Sequence, residues 1–185
     1  MELIHAQEIS LNTSLVSRES RFVNGVLERC QQDKGLAARL RRADNPATEY
    51  QSWDLLAGYG IDLENESQRL PFVTLAAAIA KAKTEGNGSL ALGRAIAACY
   101  EDGHDSTQAK ARLRRLLACD DLPELCRILR PLLALIQSKV AQPLDYVRLL
   151  RQVRRFFFNA QQVKAQWAQE FYGQLINSND TEGEA

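Results

Sequence analysis

Arginine is the residue whose spacing in this 185-residue chain can do chemistry. Arg112 and Arg115, with Lys110 and Arg114, sit at solvent-side positions of QAKARLRRLLACDD, while Leu113, Leu116 and Leu117 point inward. Arg127 and Arg130 lie three apart in the next apolar run. Arg148, Arg151 and Arg155 follow at spacings of three and four, which places them on one stripe of a helix. A row of guanidinium groups on a rigid helix contacts successive phosphates through charge-assisted, often bidentate hydrogen bonds. The competing reading is a solvated face neutralised by internal salt bridges. Few acids stand at matching positions on these helices, so that neutralisation is expected to be incomplete.

Net charge is zero, but it is unevenly spread. From Ala91 to Lys164 there are thirteen Lys and Arg against seven Asp and Glu. Acidic residues collect instead in Asp62 to Glu66 and in the tail with Asp180, Glu182 and Glu184. This asymmetry points to a polyanion partner for the C-terminal half.

Other chemistries find little support. There is no metal-spaced Asp/Glu/His cluster, no Gly-x-Ser-x-Gly and no Cys-His pair with an orienting carboxylate, so the chain is read as non-enzymatic, without metal, cofactor or small-molecule substrate. GNGSLALGRA lacks the Lys-Ser/Thr of a P-loop and follows an alanine-rich helix in place of a strand. The four cysteines, Cys30, Cys99, Cys119 and Cys126, lie within helical patterns and read as buried, reduced thiols. Trp53, Trp167, Phe171 and Tyr172 occupy core-like positions, which argues against a base-stacking platform and for a mainly electrostatic grip. The consecutive Phe156-Phe157-Phe158 forces at least one ring off the core face.

The elements that must position these arginines are helices. Apolar residues make up 45% and charged residues 25%, with no β-branched run long enough for a sheet. No stretch approaches the roughly 18 apolar residues of a membrane span, and the N-terminus lacks a secretory signal pattern, so a cytoplasmic protein is expected. Residues before Glu8 read as frayed. Helices are expected over Leu15–Cys30, Leu36–Arg42 and Pro46–Ala57. A surface loop with no packing duty should span Gly58–Arg69, and Pro71 should open a buried helix to about Thr84. Ser89 should cap a helix over Leu90–Tyr100 and Ser106 or Thr107 should start one through Ala118. Asp121 with Glu124 should begin a helix reaching Ser138, kinked at Pro131. Two more run from Pro143 to Phe158 and from Gln161 to Ile176. The fold class is all-α: a compact bundle of eight to nine helices, or two small lobes, with residues 1–100 N-terminal, 101–176 carrying the basic face, and 177–185 a disordered acidic tail. A helix-turn-helix over Leu90–Leu117 would need a tighter turn than Glu101–Asp105 provides.

Five segments in order carry a resemblance: GLAARLRRADNP (Gly35–Pro46), SLALGRAIA (Ser89–Ala97), ARLRRLLACDDLPELCRILRPLLALI (Ala111–Ile136), PLDYVRLLRQV (Pro143–Val153) and VKAQWAQEFYG (Val163–Gly173). Together they resemble the small subunit of the type I-E CRISPR Cascade complex, the CasB family, from about Gly35 to Gly173. The resemblance implies an all-helical, non-catalytic subunit of a crRNA-guided DNA surveillance complex. Its partners would be the backbone and large subunits and a second copy of itself, with the crRNA–target DNA duplex and the displaced DNA strand held against basic helix faces. Carried over by position, it marks Arg41, Arg42, Arg94, Arg112, Arg130 and Arg151, and more loosely Arg69, as nucleic-acid contacts beside Arg115, Arg127, Arg148 and Arg155 from the helix stripes. Arg41 or Arg94 could equally tie loops to backbone carbonyls. The alternatives are a structural adaptor without DNA contact and a helix-turn-helix regulator. The Phe156–Phe158 run and the N-terminal helix depart from the family pattern and leave subunit contacts open.

Overall fold

The computed structural model describes residues 17–82 and 84–173. Among them are eight α-helices and no strand, so the chain is all-α. The expectations for residues before Glu8, for Leu15 and for the acidic tail lie outside the described residues.

Helix α1 (Arg18–Gln32) starts at Ser17, whose hydroxyl accepts from the Ser20 amide, and buries Phe22, Val23, Val26 and Leu27. Asp33 accepts from the Leu36 amide at 2.9 Å and starts α2 (Lys34–Arg42). Asn45 caps a 3₁₀ segment, Pro46–Ser52, which passes into the short α3 (Trp53–Gly58). The single helix expected over Pro46–Ala57 is therefore a 3₁₀ segment followed by a short α-helix, and Trp53 at their junction is 41% exposed, against its expected core role.

Helix α4 (Glu66–Ala82) begins five residues before Pro71, where the sequence placed its start. Every residue from Leu70 to Ala80 is buried, because α4 packs against α1, α2, α3, α7 and α8 at once. A helix apolar all round belongs at the centre of a bundle. The segment before it also does more than expected of a surface loop: Ile61 is buried and Leu63 packs on the core.

The second half contains α5 (Leu92–Ala98), a 3₁₀ turn at Gly103–Asp105, α6 (Thr107–Leu117), α7 (Leu122–Lys139) and α8 (Tyr146–Tyr172). Ser106 accepts from the Ala109 amide and Asp121 from that of Glu124, so both predicted caps are present. α7 continues helically through Pro131, where the sequence suggested a kink. Asn159, at φ −150° and ψ 66°, divides α8 close to the expected break, and the second part buries Val163, Trp167 and Phe171 while leaving Tyr172 37% exposed.

Ser89 does not cap a helix. Residues 88–90 instead lie alongside 143–145: Gly88 N–H donates to the Leu144 carbonyl at 2.9 Å and Asp145 N–H to that of Leu90 at 2.9 Å. The approach is close enough that a Cβ on Gly88 would come within 1.9 Å of the Pro143 carbonyl oxygen. The neighbouring Asn87 side-chain Oδ1 then accepts from the Tyr146 and Val147 amides at 2.7 and 3.2 Å, while Asp145 Oδ1 accepts from Arg148 N–H at 2.9 Å. Two side chains from distant segments thus satisfy the open amides that begin α8. The buried apolar residues form one continuous cluster from Phe22 to Phe171.

Candidate nucleic-acid interface

The eleven arginines singled out by sequence divide by what their side chains meet. Arg69 is largely buried. Its Nε donates to Glu49 Oε1 at 2.5 Å and an Nη to the Leu63 carbonyl. Arg130, with 15% of its side chain exposed, has Nε 3.4 Å from Asp44 Oδ1, an ion-pair distance without hydrogen-bond alignment; Lys81 holds the other oxygen of the same carboxylate. Arg41 donates to the Ala80 carbonyl at 3.2 Å, tying α2 to α4 as the alternative reading of that residue anticipated. Arg42 donates to Gln51 Oε1 at 2.9 Å. Arg41, Arg42 and Arg69 bind elements of the first half to one another and Arg130 ties α7 to the turn after α2, while Arg127 makes only a loose contact of 3.6 Å with Glu124 on its own exposed helix face.

Arg148 is half exposed and reaches Glu170 at 2.7 Å. Glu170 is buried and fully partnered: it accepts from Gln152 at 2.8 Å and from Gly93 N–H at 3.1 Å, and Gln152 in turn accepts from the Trp167 indole at 2.9 Å. This network joins the start of α5 to both parts of α8. It requires Gly93, where a Cβ would lie within 2.4 Å of the Trp167 carbonyl oxygen. Glu170, Gln152 and Gly93 carry no local sequence signal for this role, since the partners are 18 and 77 residues apart.

The remaining five, Arg94 on α5, Arg112 and Arg115 on α6, and Arg151 and Arg155 on α8, are exposed and meet no carboxylate or hydrogen-bond acceptor among the described residues. Helices α5, α6 and α8 pack against one another. Lys139, which sequence reasoning missed, joins them at the C-terminal end of α7. Burial pushes the Cys99 thiol up, and the Lys139 and Arg112 charges pull against that rise. The missed signal was a basic residue in a last helical turn, which reads most simply as a partner for the helix dipole.

The cysteines are packing groups. Cys99, Cys119 and Cys126 are buried and Cys30 half-buried, all unpaired, and burial pushes Cys126 up to about 11. Among the described residues no group of three or more His, Cys, Asp and Glu could hold a metal ion, and no helix is long and apolar enough to cross a membrane. Eight residues, Cys99–Ser106, separate α5 from α6, too many for the tight turn of a helix-turn-helix.

The family profile of CRISPR-associated protein Cse2 matches residues 36–172, most of the chain. The chain belongs to the Cse2 family. Solved structures agree with the fold of this Cse2 protein. CasB from M. ruber superposes with a TM-score of 0.69 at 24% identity, covering 90% of this chain and 99% of that one. CasB from Thermus thermophilus gives 0.65 at 26% identity, covering 84% and 97%. A chain of a CRISPR RNA-guided surveillance complex gives 0.69 at 20% identity, covering 89% and 96%. Among curated proteins none matches the chain by sequence. The CasB resemblance is therefore borne out.

Proposed function

We propose that this Cse2 protein is a non-catalytic, cytoplasmic subunit that holds DNA within the RNA-guided complex by its exposed arginines. The observation that carries the reading is the set Arg94, Arg112, Arg115, Arg151 and Arg155, exposed on three mutually packed helices and meeting no carboxylate among the described residues. Such a face stabilises the guide–target duplex and the displaced strand through phosphate contacts, releasing counterions and carrying no base readout. With a Debye length of ~8 Å at physiological salt, one such patch acts weakly alone and strongly when arrayed with a second copy and with the backbone and large subunits.

Reversing Arg112, Arg115 and Arg151 to Glu together, in a complex reconstituted with the other subunits, tests this. Arg130 is left intact because reversing it would break the Asp44 contact and unsettle the fold. The expected result is normal assembly with DNA retention down by at least about a hundredfold, since each lost phosphate contact is replaced by a repulsion. Unchanged DNA retention would sink the reading. Lost assembly with DNA binding of the remaining complex unaltered would mark the chain as an adaptor whose arginines face protein.

A further inference from the structure

Four of the five large apolar side chains exposed among the described residues lie along one band: Tyr50 at 59%, Trp53 at 41%, Phe157 at 57% and Phe158 at 84%. Tyr50 and Trp53 line a groove that also contains Leu70 and Pro123. A second groove shares Leu70 and Pro123 and continues to Phe157, and a third shares Phe157 and ends at Phe158. Single exposed rings need no explanation, but four on contiguous grooves form an apolar surface of the sort that soluble chains cover with a partner.

The band is also organised. Phe157 and Phe158 meet edge to face with centroids 5.0 Å apart. Asn159 breaks the helix right behind them and its side chain accepts from the Gln162 amide at 3.2 Å, starting the second part of α8. The rings are thus presented at a capped helix break.

Five carboxylates line these grooves: Asp62, Glu64 and Glu66 in the one that ends at Phe158, and Asp120 and Asp121, with Glu66 again, in the one before it. All are exposed, and none makes an ion pair among the described residues. The two grooves at the phenylalanine end are lined by no Lys or Arg; cations occur only at the Trp53 end, where Arg69 and Arg130 are held by Glu49 and Asp44 and the exposed Arg127 lies 3.6 Å from Glu124.

We infer that this aromatic band is the docking surface for a neighbouring protein subunit that presents apolar anchors within a basic rim. Phosphate is repelled by five unpaired carboxylates, so the occupant is protein. Complementary charge requires Lys and Arg around its anchors, and proteins that line a nucleic acid carry such surfaces. The inference rests on the proposed place of the chain in an assembly, and it names the part of the chain that makes the protein contact.

The test is a complex reconstituted from its remaining subunits with either the wild-type chain or Phe157→Ser/Phe158→Ser. Because both rings are exposed, the variant keeps its helical circular dichroism and melts within a few degrees of wild type. Its dissociation constant from the complex is expected to rise at least about tenfold, as for paired aromatic anchors. A second variant, Asp62→Asn/Glu64→Gln/Glu66→Gln, removes charge without touching the rings and should weaken retention severalfold while flattening its salt dependence. A folded Phe157→Ser/Phe158→Ser chain retained as well as wild type overturns the inference. So does a change confined to DNA affinity with retention intact, or an isolated wild-type chain that self-associates through the band, which would make the occupant a second copy. If wild type fails to enter the complex, the proposed function itself falls; if wild type enters and the serine variant enters equally, only the docking surface does.

Discussion

Arg69 and Arg112 are the same residue type on helices of the same chain, yet they do opposite things. Arg69 has 18% of its side chain exposed and is clamped between Glu49 and the Leu63 carbonyl. Arg112 stands on the solvent face of α6 with no acceptor among the described residues. The contrast extends across the molecule. Arg41, Arg69 and Arg130 are turned inward by α4, whose position brings carboxylates and carbonyls from other elements within reach. On α5, α6 and the first part of α8, Arg94, Arg112, Arg115, Arg151 and Arg155 face solvent and meet no acceptor among the described residues, whereas Arg148 and Arg154 on the same stretch of α8 are held by Glu170 and Glu19. The difference teaches that an arginine's role here is set by what the bundle packs beside it, which helical spacing does not report.

The largest effect expected from breaking this division is at Glu170. Replacing it with Ala removes the acceptor for Arg148, Gln152 and Gly93 N–H, leaving buried donors unsatisfied at roughly 2–4 kcal/mol of stability. Denaturant unfolding measures this. Glu170→Gln, which keeps an acceptor, should lose clearly less. Next is Arg69→Met, which strands the buried Glu49 carboxylate and should cost about 1–3 kcal/mol, discounted for residual solvent access. Arg112→Gln in the same assay should stay within about 0.5 kcal/mol, since a solvated face has no internal partner to lose. Equal costs for Arg69→Met and Arg112→Gln would erase the distinction between the two regions.

A modest, pH-dependent effect is expected at Glu19, which pairs with Arg154 across α1 and α8. Burial pushes the Glu19 carboxyl up, but a backbone hydrogen bond and the Arg154 charge outweigh it and hold the group below the usual carboxylate range. A depressed folded pKa contributes stability above the unfolded value and loses it as pH falls through the folded one. Wild type should therefore exceed Glu19→Gln by under about 1 kcal/mol near neutrality, and the two should converge in acid as the pH falls through the lowered folded pKa. Melting temperatures across that range check it.

Much of the helical order was legible from local chemistry. Ser106, Asp121 with Glu124, and the polar Asn159 all mark real helix boundaries, because caps and breaks act over three or four residues. What failed were positions decided by distant neighbours. α4 extends back to Glu66 and Ile61 is buried because the bundle closes over them. Asn87 and Asp145 begin α8 from segments 58 residues apart. Trp53 and Tyr172 match an apolar pattern but lie where no helix covers them. The arginine stripes were visible as periodicity; Asp44, Glu49 and Glu170, which remove Arg130, Arg69 and Arg148 from the free set, were not, because each arrives from another element.

The most direct measurement is the salt dependence of DNA affinity for the assembled complex, comparing wild type with Arg94→Ala/Arg112→Ala/Arg151→Ala. If these free guanidinium groups contact phosphates, the slope of log affinity against log salt should shallow by about 0.7–0.9 for each contact removed, with the melting temperature of the isolated chain unchanged. Parallel slopes for the two complexes would contradict the account.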